Sequence, residues 1–112
     1  MSKKKNDHLP LSDSVFYILI SLTEPKHGYA VMQHVEEISQ GDVKIGPATL
    51  YTSLTKLQES KLIAPCDDLP QSDERRKPYA LTDAGLETLK NETARRARMA
   101  ADGEKAIAEM EK

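Results

Sequence analysis

The sequence predicts a mainly helical α+β fold, a winged helix-turn-helix followed by one long C-terminal helix. Three short amphipathic helical patterns come first, two strand-like stretches around a polar loop follow, and a long capped helical pattern closes the chain. Three helices followed by a β-hairpin is the order of a winged helix-turn-helix, whose third helix usually enters the DNA major groove. The length of 112 residues suits a single modest core.

Composition and charge narrow the class of protein. With 38% hydrophobic and 30% charged residues, the chain has an ordinary globular composition. No apolar run approaches the ~18 residues of a membrane span, and no apolar stretch of a signal peptide follows the N-terminal lysines. The single cysteine, Cys66, cannot form a disulfide within the chain. We therefore expect a cytoplasmic protein.

The net charge of −2 argues mildly against nucleic acid, but the distribution of charge matters more. Basic residues cluster at 3–5, at 75–77 and at 95–98, which leaves room for a local basic face. Residues 1–10 are expected to form a flexible basic tail, residues 11–82 the winged domain, and residues 83–112 the C-terminal helix.

The first two helices show clear boundaries and apolar stripes. Ser12 or Asp13 can cap the first helix, which is expected to end before Pro25. The second begins near His27 and Gly28, and Gly41 stands where a left-handed C-terminal cap is expected. Apolar residues recur at helical spacing in both: Leu11, Val15, Ile18, Leu19, Leu22, Val31, Met32, Val35 and Ile38.

The third helix begins at Pro47, and its buried stripe is leucine. Its opposite face carries Thr49, Thr52, Ser53 and Lys56, and its one acid, Glu59, lies at the far end. Hydroxyl groups can contact bases or phosphates and lysine can contact guanine or phosphate, so this face is predicted to bind DNA. The alternative is a merely solvated face. Tyr51 lies near the edge, its ring expected to pack and its hydroxyl to reach outward.

The wing follows the third helix. "LIAPC" and "KPYAL" are predicted strands, with Ile63 and Leu81 pointing inward, around the polar loop "DDLPQSDERR". The loop tip carries Arg75, Arg76 and Lys77, which are placed to hold the DNA backbone or minor groove. The alternative is a basic patch that only serves solubility. Thr82 with Asp83 then caps a final helix that is predicted to run to about Met110.

Three blocks of this sequence, "HGYAVMQHVEE", "GPATLYTSLTKLQESKLI" and "DERRKPYALTDAG", resemble the signature blocks of the PadR-like transcriptional regulators. With the first helix they cover roughly residues 11–90. The resemblance implies a homodimeric DNA-binding regulator, typically a repressor released by a small-molecule effector or a stress signal. With one C-terminal helix, the chain resembles the short members of the family. No cofactor is predicted.

The resemblance also assigns residues. The motif positions associated with DNA contact or with packing of the motif are occupied by Tyr29, Thr49, Tyr51, Arg75, Arg76 and Tyr79. One departure is Lys61, where the family commonly has glycine. If the backbone is left-handed there, lysine costs about 1 kcal/mol relative to glycine.

The final helix carries a stripe of apolar and small residues too long for the small domain to cover. We expect it to pack against the same helix of a second chain. The predicted dimer interface comprises Leu86, Leu89, Thr93, Ala97, Ala100, Gly103, Ile107 and Met110. A twofold dimer would place two recognition helices roughly 34 Å apart or a small multiple of this distance, which predicts an inverted-repeat operator. The alternative is a frayed tail.

Other functions find less support in the sequence. His27 and His34 lie near Glu37, but a metal site needs further ligands, so no metal site is predicted. His34 is expected to be exposed. No catalytic triad, phosphate loop or carboxylate pair is evident, so we predict no enzyme activity. Two alternatives remain: a winged helix that binds a protein partner, and a small-molecule sensor with weak DNA binding.

Overall fold

The computed structural model describes residues 9–66 and 77–112. Within these residues, the elements follow one another as α1 (Asp13–Ser21), β1 (Lys26–His27), α2 (Gly28–Ile38), α3 (Pro47–Glu59), β2 (Ile63–Pro65), β3 (Pro78–Leu81) and α4 (Asp83–Met110). The fold is mostly helical with a small sheet and a long C-terminal helix, as the sequence predicts. No helix of the described residues is long and apolar enough to cross a membrane.

The predicted helix starts are confirmed because the signals that set them are local. The side chain of Ser12 caps α1 by accepting a hydrogen bond of 3.1 Å from the amide of Val15. Pro47 begins α3, where its missing N–H is not needed. Thr82 caps α4, which runs from Asp83 to Met110 as the sequence predicts.

One core holds the helices and the sheet together. Each helix contributes one apolar side, and α3 turns its leucine stripe inward as predicted. The buried hydrophobic residues are Ile18, Leu19, Leu22, Val31, Val35, Ile45, Leu50, Leu54, Leu57, Leu62, Ile63 and Leu89. Because α3 packs through its leucines, its opposite side must face outward.

The sheet has the strand order β1-β3-β2, and both pairs are antiparallel. The predicted hairpin is confirmed, with Ile63 opposite Leu81. Ile63 is buried, whereas Leu81 is half-buried and packs against the core. Strand β1 is not predicted from the sequence, because a strand of two residues directly after Pro25 is too short to show an alternating pattern.

Helices α2 and α3 end in the same way, with a left-handed residue at the turn. After α2, Gln40 has φ 56° and Gly41 has φ 85°, so the glycine lies in the expected conformation but one residue beyond the first left-handed position. After α3, Lys61 has φ 66°, and the amide of Leu62 donates to the carbonyl of Leu57 at 2.9 Å. The backbone at Lys61 is therefore left-handed, which is the condition under which lysine is expected to cost about 1 kcal/mol relative to glycine.

The start of α4 is fixed to the wing by Thr82. Its hydroxyl donates to the carbonyl of Lys61 at 2.7 Å and accepts from the amide of Gly85 at 3.0 Å. The amide of Thr82 donates to the carbonyl of Leu62 at 3.0 Å. Thr82 thus joins the end of α3, the wing and the first turn of α4.

One sequence prediction about histidine is wrong. His34 is half-buried, and its Nδ1 lies 2.9 Å from the hydroxyl oxygen of the fully buried Ser21. The reason is that α2 packs against α1 on this side. His27, in contrast, occupies the predicted place at the start of α2.

Candidate nucleic-acid interface

Helix α3 presents its predicted polar face to the outside. Thr49, Thr52 and Lys56 are exposed and Ser53 is half-buried, while the leucines on the other side are buried. Because the leucine stripe fixes the rotation of the helix about its axis, these four side chains share one surface. Glu59 is exposed at the last helical position, away from them.

This polar face forms one wall of a shallow concavity of about 440 Å³ between α1 and α3. The floor is apolar, because Val15 of α1 and Leu57 of α3 contribute to it. The lining residues are Val15, Ala48, Thr49, Thr52, Ser53, Lys56 and Leu57. The concavity was not predicted, since the approach of α1 to α3 is a long-range feature.

Two lysines extend the positive charge beyond the four predicted residues. Lys44 lies in the connection before α3 and Lys61 follows its C-terminal end, and both are exposed. Lys44 comes within 3.9 Å of Glu36, a loose and solvent-exposed ion pair that leaves its ammonium accessible. With Lys56, they place positive charge near both ends of α3.

Tyr51 lies on the other flank of α3, against the first residue of α2. A Cβ built on Gly28 would lie 2.7 Å from the hydroxyl oxygen of Tyr51 and 3.0 Å from its ring carbons. Any residue other than glycine would displace the tyrosine. The glycine of "HGY" and the tyrosine of "TLY" therefore form one structural unit, and Tyr51 stays 49% exposed.

The same region contains the N-terminus of α2. His27 is the N-cap and its side chain makes no capping hydrogen bond. Tyr29, in the first turn, is 65% exposed. Because the first amides of a helix point outward and favour negative charge, this end of α2 can accept a phosphate beside Tyr51.

The wing contributes one of its three predicted basic residues to the described structure. Lys77 is exposed immediately before β3, whereas Arg75 and Arg76 lie outside the described residues. Tyr79 is half-buried and packs against the core, which indicates the packing role rather than DNA contact. The ammonium group of Lys26 donates a hydrogen bond of 2.8 Å to the carbonyl of Ser21, so this side chain is engaged within the domain.

The basic cluster of α4 is largely neutralised. Arg95 and Arg96 both bind the carboxylate of Glu92, which is fully buried. The guanidinium of Arg95, and after it that of Arg96, holds the pKa of Glu92 at about 2 against the opposing effect of burial. This carboxylate was not among the predicted residues, although its spacing of three and four residues from two arginines is a signal that the sequence shows.

The predicted dimer surface divides into two parts. Leu89 is 8% exposed and belongs to the core of its own chain, which removes it from any surface open to a partner. The other predicted residues, Leu86, Thr93, Ala97, Ala100, Gly103, Ile107 and Met110, are exposed. Met99, which is not among the predicted interface residues, is 53% exposed and lies one turn before Gly103.

Metal ligands are not clustered in the described residues. Within residues 9–66 and 77–112, no group of three or more His, Cys, Asp or Glu side chains is placed to hold a metal ion. Cys66 is half-buried at the end of β2.

The arrangement of α3, α2 and the wing is suited to binding a polyanion.

Comparison with known families identifies one family model that the chain matches. Residues 15–91 match the family model described as the transcriptional regulator PadR-like family. The chain is also 33% identical over 89 residues to an uncharacterized 37.1 kDa protein of transposon Tn4556 from Streptomyces fradiae. That match covers 79% of this chain but 24% of the relative, so the chain spans about a quarter of that protein.

Solved structures share the fold. A PadR family transcriptional regulator from Eggerthella lenta is 29% identical, with a TM-score of 0.66, over 83% of this chain and 80% of the other. Bacillus subtilis PadR, solved in complex with operator DNA, is 23% identical, with a TM-score of 0.59, over 69% of this chain and 44% of the other. The second likeness shows a common fold.

Proposed function

The chain belongs to the transcriptional regulator PadR-like family, and we propose that it acts as a repressor that binds an inverted-repeat operator as a homodimer. The observation that carries this proposal is the exposed face of α3, where hydroxyl groups and Lys56 stand opposite a buried leucine stripe. A helix held in this way offers a rigid polar surface to the major groove.

The side chains of this face suit a DNA site. Thr49 and Thr52 can donate or accept hydrogen bonds at base edges, while Lys56 binds phosphate or guanine. The only acid in α3 is at its last residue, so repulsion of phosphates is small over most of the helix. The complex of Bacillus subtilis PadR with operator DNA supports the use of this fold for the same purpose.

Groups on either side of α3 would hold the DNA backbone. On one side, the first amides of α2 and the exposed Tyr51 and Tyr29 suit a phosphate. On the other side, we propose that Lys77 contacts the flanking backbone together with Arg75 and Arg76. These contacts would fix orientation, while α3 supplies sequence discrimination.

The homodimer would form through α4. The helix is exposed from Ala97 onward, and this half carries Met99, Gly103, Ile107 and Met110. Exposed apolar residues at helical spacing favour pairing with a second copy, and small residues allow a close approach. A small-molecule effector would act by changing the angle between the two winged domains through these helices.

Replacement of Lys56 by alanine tests the DNA contact. We expect Lys56→Ala to lower the affinity for an operator selected from random DNA and to reduce the slope of log affinity against log salt by about one. Lys105→Ala is the matched control, because the change of charge is the same and Lys105 is exposed on residues 97–110, the free half of α4.

Each outcome separates the proposed function from the alternatives. An unchanged affinity and slope in Lys56→Ala would remove this lysine from the DNA site. If no sequence is selected from random DNA, and the promoter region upstream of the protein's own gene gives no gel shift, a protein-binding module would instead be favoured. A ligand-induced increase in melting temperature without operator binding would favour a small-molecule sensor.

A further inference from the structure

A buried ion-pair cluster lies where α4 leaves the winged domain. Glu92 is fully buried, and Arg95 binds it with two hydrogen bonds, from Nε to Oε1 at 2.7 Å and from Nη2 to Oε2 at 2.8 Å. The Nε of Arg96 donates to Oε2 at 2.7 Å. Both carboxylate oxygens are thus occupied, which stabilises the charged form.

Arg96 connects this cluster to the beginning of α1. Its Nη1 donates to Oδ1 of Asp13 at 2.9 Å, and its Nη2 donates to the carbonyl of Leu11 at 3.0 Å. Its guanidinium carbon lies 4.4 Å from the centre of the Phe16 ring. One side chain therefore binds α4 to three groups near the N-terminus of α1, using the planar geometry that distinguishes arginine from lysine.

The position of Arg96 along α4 is decisive. Before it, α4 buries residues against its own domain, and after it every residue of α4 is exposed. The segment 97–110 rises about 21 Å at about 1.5 Å per residue. A tilt of about 10° at Arg96 would move its end by about 4 Å, which is close to one base-pair step of about 3.4 Å.

We propose that Arg96 is a positioning residue that fixes the direction of the free half of α4 relative to α1, and thereby sets the spacing between operator half-sites. The proposal rests on the DNA-binding homodimer proposed above. It assigns to Arg96 a role in specificity, although this side chain lies on α4 and not on the recognition helix.

The cluster suits such a role because it resists bending without depending on the partner. Arg96 makes charge-assisted bonds in two directions, to Glu92 on its own helix and to Asp13 on α1. Such bonds are directional, whereas apolar contacts allow sliding. Loss of Arg96 would leave Glu92 still paired with Arg95, so the domain is expected to fold.

The test uses Arg96→Met, with Arg98→Met as the control because Arg98 is exposed two residues further along the same helix. The first measurement is selection of paired half-sites with randomised spacing. We expect Arg96→Met to shift the preferred spacing by about one base pair or to accept several spacings, while the half-site sequence is unchanged. Arg96→Lys should give an intermediate result, since lysine keeps the charge but cannot make three contacts together.

The second measurement does not need DNA. Two spin labels are attached to cysteines introduced by Gln33→Cys and Lys105→Cys, in a chain whose own cysteine is removed by Cys66→Ser. The labelled chain is diluted with unlabelled protein, so that the measured distance is the one from α2 to the free half of α4 within one chain. We expect a narrow distance distribution in the parent and in Arg98→Met, and a shifted or broader one in Arg96→Met. Sedimentation and far-ultraviolet circular dichroism would verify that the variant remains a folded dimer.

The outcomes are distinct. Distances unchanged by Arg96→Met would overturn the positioning role, and changed distances with an unchanged spacing preference would overturn the link to the operator. If the parent selects no DNA at all, the proposed function fails and the spacing proposal fails with it. The label distances would then still decide whether Arg96 fixes the direction of α4.

Discussion

The two halves of helix α4 differ in what determines their structure. Residues 83–96 are capped by Thr82, buried at Leu89 and joined to α1 through Glu92 and Arg96. Residues 97–112 are exposed throughout. The first half is shaped by its own chain, whereas the second carries apolar and small residues that its own domain does not cover. The fold of the chain itself therefore accounts for the first half of the helix and not for the second.

Two glycines, one in each half of α4, show the difference in packing between the halves. A Cβ built on Gly85 would collide with the carbonyl oxygen of Leu62, whereas a Cβ on Gly103 would meet no atom of the described chain within 4 Å. The first glycine is required by the close approach of α4 to the wing. The second has no such reason within its own domain.

The largest effect is therefore expected from Gly85→Ala. The methyl group would push α4 away from the backbone of the wing and disturb the hydrogen bond from Thr82 to Leu62. We expect a loss of about 3 kcal/mol in the free energy of unfolding, although alanine favours helices. Urea denaturation of the purified protein measures it.

Glu87→Ala provides the matched control, since Glu87 is exposed in the same part of α4. It should change the free energy of unfolding by no more than about 0.5 kcal/mol. Equal stability of Gly85→Ala and the parent would mean that α4 does not approach the wing as closely as described.

The second prediction concerns Glu92→Gln. The neutral amide cannot satisfy two guanidinium groups, so we expect a loss of about 2 kcal/mol at neutral pH. The loss should be smaller than for a fully buried ion pair, because the side chains of both arginines are more than a quarter exposed. Glu104→Gln, in the exposed half of the helix, should have almost no effect.

The pH dependence follows from the same carboxylate. Hydrogen bonds from Arg95 and Arg96 lower the pKa of Glu92 from 4.5 to about 2. Because the pKa is depressed in the folded state, the stabilisation is complete above about pH 4.5 and is lost as the pH falls towards about 2. The stability difference between the parent and Glu92→Gln should shrink over this range. A constant difference would mean that the carboxylate titrates normally.

The halves of α4 also show what could be predicted from sequence. The bounds of α4 and its cap were predicted because Thr82 and Asp83 act locally. The ion pairs among Glu92, Arg95 and Arg96 were visible in the spacing. The burial of Glu92 and the bond from Arg96 to Asp13 were not, because they depend on a contact between residues 83 positions apart.

In the candidate nucleic-acid interface, too, the local features could be predicted from the sequence and the contacts between helices could not. The leucine stripe of α3 and the polar face opposite it follow from helical periodicity, and the structure brings the four predicted side chains together. The contact of Tyr51 with Gly28 and the concavity beside Val15 arise from packing between helices. The short strand β1 becomes recognisable only through its pairing with β3.

The smallest effect is expected at Gly103, and it decides the role of the free half of α4. In a chain whose α4 has no partner, Gly103→Ala should stabilise the helix by about 0.5–1 kcal/mol, because the added Cβ meets open space. In the proposed dimer, the methyl group would oppose the close approach of the second α4. We expect the dimer dissociation constant to rise several-fold in sedimentation, while the helix content of the chain does not fall.

The change in the dimer dissociation constant decides whether Gly103 lies at the contact between the two chains. Glu104→Ala, at the neighbouring exposed position, is the control for helix propensity without a new group at Gly103. A dissociation constant that rises only in Gly103→Ala would place the glycine between two helices. If it is unchanged in both variants, the gain in helix propensity has stabilised monomer and dimer alike, and the stripe through Gly103 is not where the two chains meet. The dimer would then have to form through another surface, and the tilt of α4 at Arg96 would lose its effect on operator spacing.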